Sequence, residues 1–166
     1  MSGQVIVEEL VRLGCTTFCI APGSRSTPLT VAAARNSAVR TFMSFDERSL
    51  GFFAIGHARA TRQATALIVT SGTAVVNLFP AVAEAFNDEI PLILLTADRP
   101  PELRQVGANQ TIDQVKIFGT HVRYFFDVPT PDDLISAQVI KNIVVDAYTH
   151  SKSGPVHINC MFREPL

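Results

Sequence analysis

The chain has 166 residues, of which 47% are hydrophobic and 17% charged, and its formal net charge is -1. That length and apolar content fit one domain around a single core, and the near-neutral balance leaves no long-range field to gather nucleic acid or an anionic membrane surface. No stretch reaches the length of a membrane span, and Met1-Ser2-Gly3-Gln4 leads into neither the basic nor the apolar region of a signal peptide, so a soluble intracellular protein is expected. Lys116, Lys141 and Lys152 are the only lysines, so arginine carries most of the positive charge. Arginine suits forked recognition of carboxylate or phosphate, a pointer toward anionic ligands. Cys15, Cys19 and Cys160 lie in apolar settings without zinc or disulfide spacing, and are expected to be buried thiols. A mean hydropathy of +0.23 with few charges implies that some apolar surface lies against another copy or another domain.

Along the chain, Val5, Ile6, Leu10, Val11 and Leu13 form a helical stripe that Gly14 closes. A strand at Thr17–Ala21 follows, then a loop at Pro22–Ser26 and a helix with Thr27 as N-cap and Pro28 as first helical residue. The same rhythm predicts a strand at Val39–Phe45 and a helix at Arg48–Thr61, then a strand at Ala64–Thr70, a turn at Ser71-Gly72-Thr73 and a helix at Ala74–Phe86. A strand at Pro91–Thr96 precedes a polar loop from Ala97 to about Gln110. The last units are a strand at Tyr124–Val128, a helix from about Asp132 to His150 and a strand at Pro155–Cys160. Short apolar strands alternating with helices predict an α/β fold: an open, mostly parallel sheet with helices on both faces, formed by residues 1–166 as a single domain. No short-period repeat, low-complexity tract or heptad pattern is present.

In such a sheet the loops at the carboxyl ends of the strands converge where α/β proteins bind ligands. Three of those loops carry charge: Pro22-Gly23-Ser24-Arg25-Ser26-Thr27-Pro28, Ser44-Phe45-Asp46-Glu47-Arg48-Ser49 and Ala97-Asp98-Arg99-Pro100-Pro101-Glu102. Arg25 beside a helix N-terminus suits an anion, although Ser26 and Thr27 would also serve simply as caps. Arg99 reads equally as a ligand contact or as an ion pair with Asp98 or Glu102, and Glu47 alone as a solvated acid in a first helical turn. Ser71-Gly72-Thr73 lacks the glycine pattern of a dinucleotide site and the Lys of a P-loop. His57, His121, His150 and His157 show no metal spacing and read as surface or structural residues.

Together, five ordered blocks change those readings. Ala21-Pro22-Gly23-Ser24-Arg25-Ser26-Thr27-Pro28-Leu29-Thr30, Phe45-Asp46-Glu47-Arg48, Thr70-Ser71-Gly72-Thr73-Ala74-Val75-Val76-Asn77, Leu95 to Leu103 and Gly107 to Gln114, with the terminal His157–Cys160 and Glu164-Pro165-Leu166, resemble the MenD family. These are thiamine-diphosphate-dependent synthases of menaquinone and phylloquinone biosynthesis. The resemblance covers essentially the whole chain. It implies the amino-terminal, pyrimidine-binding domain of a longer enzyme whose central and diphosphate-binding domains lie elsewhere. Mg²⁺ would be held by the diphosphate-binding domain through a Gly-Asp-Gly motif that does not occur in this sequence, so no metal ligand is expected in this chain.

The implied reaction is decarboxylation of 2-oxoglutarate and conjugate addition of the succinyl unit to isochorismate, in a homo-oligomer, dimeric or higher, whose active site lies between subunits. Glu47 matches the glutamate that activates the cofactor through a pyrimidine ring nitrogen. Arg25, Arg99 and Gln110 match positions that hold the acidic substrate or intermediate, with Ser24 and Asn109 beside them, while Pro22 and Asn77 match positions lining the pyrimidine pocket. Arg104 and Lys116 receive no role. A cytoplasmic location is expected, or a plastid one in a photosynthetic eukaryote, and the isolated domain is expected to be inactive. Two alternatives stand beside this reading: another thiamine-diphosphate decarboxylase or acetolactate-synthase relative, and a non-catalytic dimerisation or regulatory module.

Overall fold

The computed structural model describes residues 2–130 and 135–166. Helix α1 (Ser2–Arg12) leads into β1 (Thr17–Ile20), α2 (Thr27–Arg35), β2 (Arg40–Met43), α3 (Glu47–Thr61) and β3 (Thr65–Val69). Then come α4 (Thr73–Val76), α5 (Phe79–Asn87), β4 (Leu92–Asp98), a 3₁₀ turn at Pro101–Leu103, β5 (Tyr124–Val128), α6 (Ala137–Ser151) and β6 (Val156–Met161). The strands form one sheet in the order β2-β1-β3-β4-β6-β5, and every pairing is parallel. One row of partners crosses it from edge to edge: Met43, Ile20, Ile68, Leu95, Ile158 and Phe126. The expected α/β class and parallel sheet are therefore present.

Alternation along each strand divides the core in two. Phe18, Ile20, Ile68, Leu95 and Ile158 face α1, α2 and α6, where they meet Ile6, Leu10, Leu29 and Val144. Cys19, Leu67, Val69 and Leu94 point the other way, onto Leu50 and Ala54 of α3 and Val82 and Ala85 of α5. Each fully buried Leu or Ile of this kind contributes about 1.5–3 kcal/mol by leaving water. All three cysteines are free and buried, as expected; burial pushes the Cys15 and Cys19 thiols up to about 12.

Several boundaries differ from the sequence reading. The helix expected at Ala74–Phe86 is broken into α4 and α5, because Pro80 lacks the N–H that would bond back one turn. Thr27 is not the N-cap of α2; Ser26 holds that position, yet its Oγ donates to the Gly23 carbonyl at 2.9 Å and closes the preceding loop. Helix α3 opens one residue earlier than expected, with Asp46 as N-cap accepting from the Ser49 amide at 2.7 Å. Strand β4 runs on through Asp98, because Ala97 and Asp98 pair with Cys160 and Met161. The expected start of the last helix at Asp132 lies outside the described residues; the described helix opens at Ser136, whose hydroxyl accepts from the Val139 amide.

Between β4 and β5 the sheet is covered by a largely irregular segment, residues 99–123, in place of a helix. Phe118 anchors it, 1% exposed, in the same core as α3 and α5, with Ile117 and Val122 packed beside it.

Candidate active site

Because all six strands are parallel, their carboxyl ends share one edge, and the loops after β1, β2, β3, β4 and β6 meet there. The loops after β1 and β3 press together at Gly23, where a Cβ would stand 2.3 Å from the Thr70 Cβ, so only glycine fits. Gly72 takes φ +81, and a Cβ there would come within 3.1 Å of the Gln110 carbonyl oxygen. These two contacts set the floor on which the polar side chains stand.

Glu47, the first residue of α3, is half-buried. Its Oε2 accepts from the Asn77 amide at 3.2 Å, a contact made possible by the break after α4 that leaves Asn77 exposed at that helix's end. The same elements carry exposed apolar side chains: Met43 and Phe45 on the approach to α3, Phe52 and Phe53 further along it, and Val76 next to Asn77 in the chain.

A second group centres on Arg99, buried to 9% exposure directly after β4. Its Nη1 donates to the Ser71 hydroxyl, which donates in turn to the Gln110 carbonyl at 3.1 Å, while the Gln110 amide returns a bond to the Ser71 carbonyl at 3.1 Å. Gln110 adopts φ +53 in making this exchange. Burial, and then the positive charge of Arg25, holds the Arg99 guanidinium below its ordinary value.

Arg25 is equally buried, at 6% exposure. Its Nη1 donates to the Phe162 carbonyl at 3.0 Å and its Nη2 to Glu164 Oε1 at 2.9 Å, while its Nε is buried without a partner. Arg25 and Arg99 thus lie within each other's electrostatic reach, whereas Glu47 pairs with Asn77 and bonds to neither. Pro22, Ser24 and Asn109 are exposed on the loops around this edge.

Beneath Arg99 lies a polar layer that sequence reasoning missed. Gln114, 1% exposed, accepts from the Gly72 amide at 2.9 Å and donates to the Ala97 carbonyl and to Asn159 Oδ1. Asn159, fully buried, donates to Asp98 at 2.9 Å and to Asp127 at 2.8 Å. Arg104 bridges the same two carboxylates, at 2.6 Å to Asp98 and 3.0 Å to Asp127. Asp98 also accepts from the Arg99 amide at 2.7 Å. It therefore fixes the backbone of Arg99 while its charge is answered by Arg104. Burial still pushes the Asp98 carboxyl above its usual range, against the pull of Asn159, Arg104 and the Arg99 amide.

Thr96 donates its single proton to Asn159 Oδ1 at 2.8 Å, so His157 Nε2, 2.7 Å from the same hydroxyl, must be the protonated ring nitrogen. His157 Nδ1 is then a bare acceptor, buried without a partner. The ring packs edge-on against Phe118 and tilted against Phe125. Polar residues at alternating positions of strands that are otherwise apolar, Thr96 and Asp98 in β4, His157 and Asn159 in β6, were the available sequence signal for this layer. Among the described residues no group of three or more His, Cys, Asp or Glu could hold a metal ion.

The arrangement offers a half-buried carboxylate held by an amide and, separately, a pair of buried guanidiniums. Residues 2–117 match the family described as thiamine pyrophosphate enzyme, N-terminal TPP binding domain. The chain is 54% identical to 2-succinyl-5-enolpyruvyl-6-hydroxy-3-cyclohexene-1-carboxylate synthase of Salinibacter ruber and 56% identical to the protein of the same name from Chlorobium limicola, in each case over 98% of this chain and 28% of the relative. It is also 54% identical to the chloroplastic protein PHYLLO of Arabidopsis thaliana, over 98% of this chain and 10% of that protein. The chain thus spans 28% or less of the length of these curated relatives. With its parallel sheet, its helix-initial glutamate and the match over residues 2–117, the chain belongs to the thiamine pyrophosphate enzyme family and forms its N-terminal TPP binding domain.

Proposed function

We propose that this domain is the pyrimidine-binding part of a thiamine-diphosphate-dependent synthase that decarboxylates 2-oxoglutarate and adds the succinyl unit to isochorismate, in the route to menaquinone or phylloquinone. The observation that carries this reading is the Glu47–Asn77 pair set on the same sheet edge as the buried Arg25 and Arg99. The residues fit the cofactor's pyrimidine: a half-buried carboxylate with one oxygen fixed by an amide, with the exposed Phe45 two residues before it and the exposed Val76 next to Asn77 in the chain. When bound, thiamine diphosphate supplies an acidic ring carbon and an electron sink for the carbon that loses CO₂.

Asn77 holds Oε2 of Glu47, which leaves Oε1 to exchange a proton with a pyrimidine ring nitrogen. Pro22 and Asn77 border that ring. Arg25, Arg99 and Gln110, with Ser24 and Asn109 at the margin, bind and orient the substrate carboxylates; guanidinium forks select geometry as well as charge. A buried pair of cations, one of them answered only by the exposed Glu164, favours acidic ligands over the neutral acceptors of acetolactate-synthase relatives, because a charge taken out of water requires an opposite one.

Exposure of Phe45 at 81% and Met43 at 68% beside Glu47 supports a homo-oligomer, dimeric or higher, whose active site lies between subunits. We assign Mg²⁺ to the diphosphate-binding domain of the longer enzyme, and the location to the cytoplasm or a plastid. The test is 2-oxoglutarate decarboxylation by the full-length enzyme, with isochorismate as acceptor. Glu47→Gln should lower the rate by about 100-fold or more with little change in the KM for 2-oxoglutarate. An unchanged rate would remove Glu47 from the mechanism.

A further inference from the structure

Two guanidiniums, Arg25 and Arg99, are buried within each other's electrostatic reach at the carboxyl edge of the sheet. Their surroundings are unequal in charge. Asp98, although next to Arg99 in sequence, gives one oxygen to the Arg99 amide and the other to Arg104 and Asn159, so it is committed to the layer beneath. Arg99 Nη1 goes to a neutral hydroxyl, that of Ser71. Arg25 Nη1 goes to a neutral carbonyl, that of Phe162. Among the described residues the one carboxylate hydrogen-bonded to either guanidinium is Glu164, through a single oxygen.

That contact is also lopsided in burial: the Arg25 side chain is 7% exposed and the Glu164 side chain 74%. The arginine is fixed while the acid stands largely in water, where such a pair is weak. Moreover, Nε and Nη2 form one edge of the guanidinium, the edge that a carboxylate grips with two oxygens. Glu164 occupies the Nη2 half; Nε is buried without a partner. A ligand carboxylate taking both N–H groups would fill the edge better than Glu164 does, and would displace it.

We propose that Glu164 is a displaceable counter-carboxylate for Arg25, and that it sets the charge the site accepts. With Glu164 in place, one buried guanidinium is left for a ligand and a monocarboxylate suffices. With Glu164 swung into solvent, two are left, and the fitting ligand is a dicarboxylate. Glu164 is then a specificity-determining residue: it keeps Arg25 neutralised between turnovers and lowers the affinity for diacids by the strength of the contact they must replace. This inference rests on the reading of Arg25 and Arg99 as carboxylate binders given above.

The experiment is calorimetric titration of the full-length, cofactor-free enzyme with glutarate, a non-reacting dicarboxylate, and with butyrate as its monocarboxylate counterpart. Wild type, Glu164→Gln and Glu164→Ala are compared. The first variant keeps a hydrogen-bonding side chain without charge; the second removes both. Both variants should bind glutarate roughly threefold to fivefold more tightly, the factor an exposed ion pair contributes, with the Kd for butyrate unchanged. Weaker glutarate binding, or an equal shift for both acids, would overturn the inference and make Glu164 a positioning residue for Arg25. Failure of glutarate to bind any of the three proteins would also overturn it. Turnover of 2-oxoglutarate by the wild-type enzyme decides separately whether the proposed function stands.

Discussion

Acid should unfold this domain early, and His157 is the reason. The ring is completely buried between Phe118 and Phe125, its Nε2–H is committed to Thr96, and its Nδ1 has no partner. Burial pushes its pKa down from 6.5 to about 3, against the opposing charge of Asp127. A histidine whose folded pKa lies below its unfolded value contributes stability that is fully present above pH 6.5 and is lost as pH falls toward 3. With those two values the linkage relation gives a loss of about 2 kcal/mol between pH 7 and pH 5, and about 4 kcal/mol by pH 3. In urea, where slopes are about 1–3 kcal/mol per molar, the first figure moves the unfolding midpoint down by about 1 M. The comparison is His157→Gln, which retains an N–H for Thr96 and does not titrate. Urea unfolding of both proteins at pH 7, 6 and 5 should show the wild-type midpoint falling toward that of the variant and the variant nearly flat. Parallel curves would refute the assignment of a buried neutral imidazole.

Three further outcomes are expected. Arg104→Met leaves the buried Asp98 and its neighbour Asp127 without their bridging cation, so stability should fall by about 3–5 kcal/mol; Asp98→Asn in the same chain should recover part of the loss, as measured by thermal or urea unfolding. Gly23→Ala drives a Cβ into Thr70, and should cost about 1–3 kcal/mol and, on the function proposed above, raise the KM for 2-oxoglutarate in the full-length enzyme; Thr70→Gly should relieve both effects. Leu94→Ala, at a fully buried centre of the sheet, should cost about 2–5 kcal/mol without altering the ratio of dicarboxylate to monocarboxylate affinity.

The order of elements was legible because each strand is a short apolar run and each helix carries a stripe, patterns local to about a dozen residues. Tyr124–Val128 was placed to the residue. What escaped was set by register between distant segments. Nothing near Asn159 announces that it will lie opposite Thr96 and reach Asp127; that follows from β6 entering between β4 and β5, so that Asn159 meets both neighbours. For Arg104, which takes no role in the sequence reading, no local pattern could supply one: its partners, Asp98 and Asp127, come from different strands. For the site, the sequence blocks named Glu47, Arg25 and Arg99, but spacing alone left each open to a plainer reading. The structure supplies their neighbours: Asn77 for Glu47, Ser71 and Gln110 for Arg99, Phe162 and Glu164 for Arg25. Glu164 was noted only as part of a terminal block, since a partner 139 positions away in sequence carries no periodic mark.

The largely irregular cover over β4 and β6 bears on how the molecule opens. A helix docked on a sheet exchanges its amide hydrogens as one unit, guarded by its own ladder of bonds. Residues 99–123 have scarcely any ladder: they are held by Phe118 and by side-chain bonds from Gln114, Arg104 and Arg99 to the sheet and its loops. Deuterium should therefore enter this segment well before it enters α3 or α5, while the central strands remain closed. Such a partial opening would unlatch Ser71 and Gly72 together with Arg99, so the Arg99 side of the edge would come apart while Arg25 stays bonded to Phe162 and Glu164 and Glu47 stays bonded to Asn77.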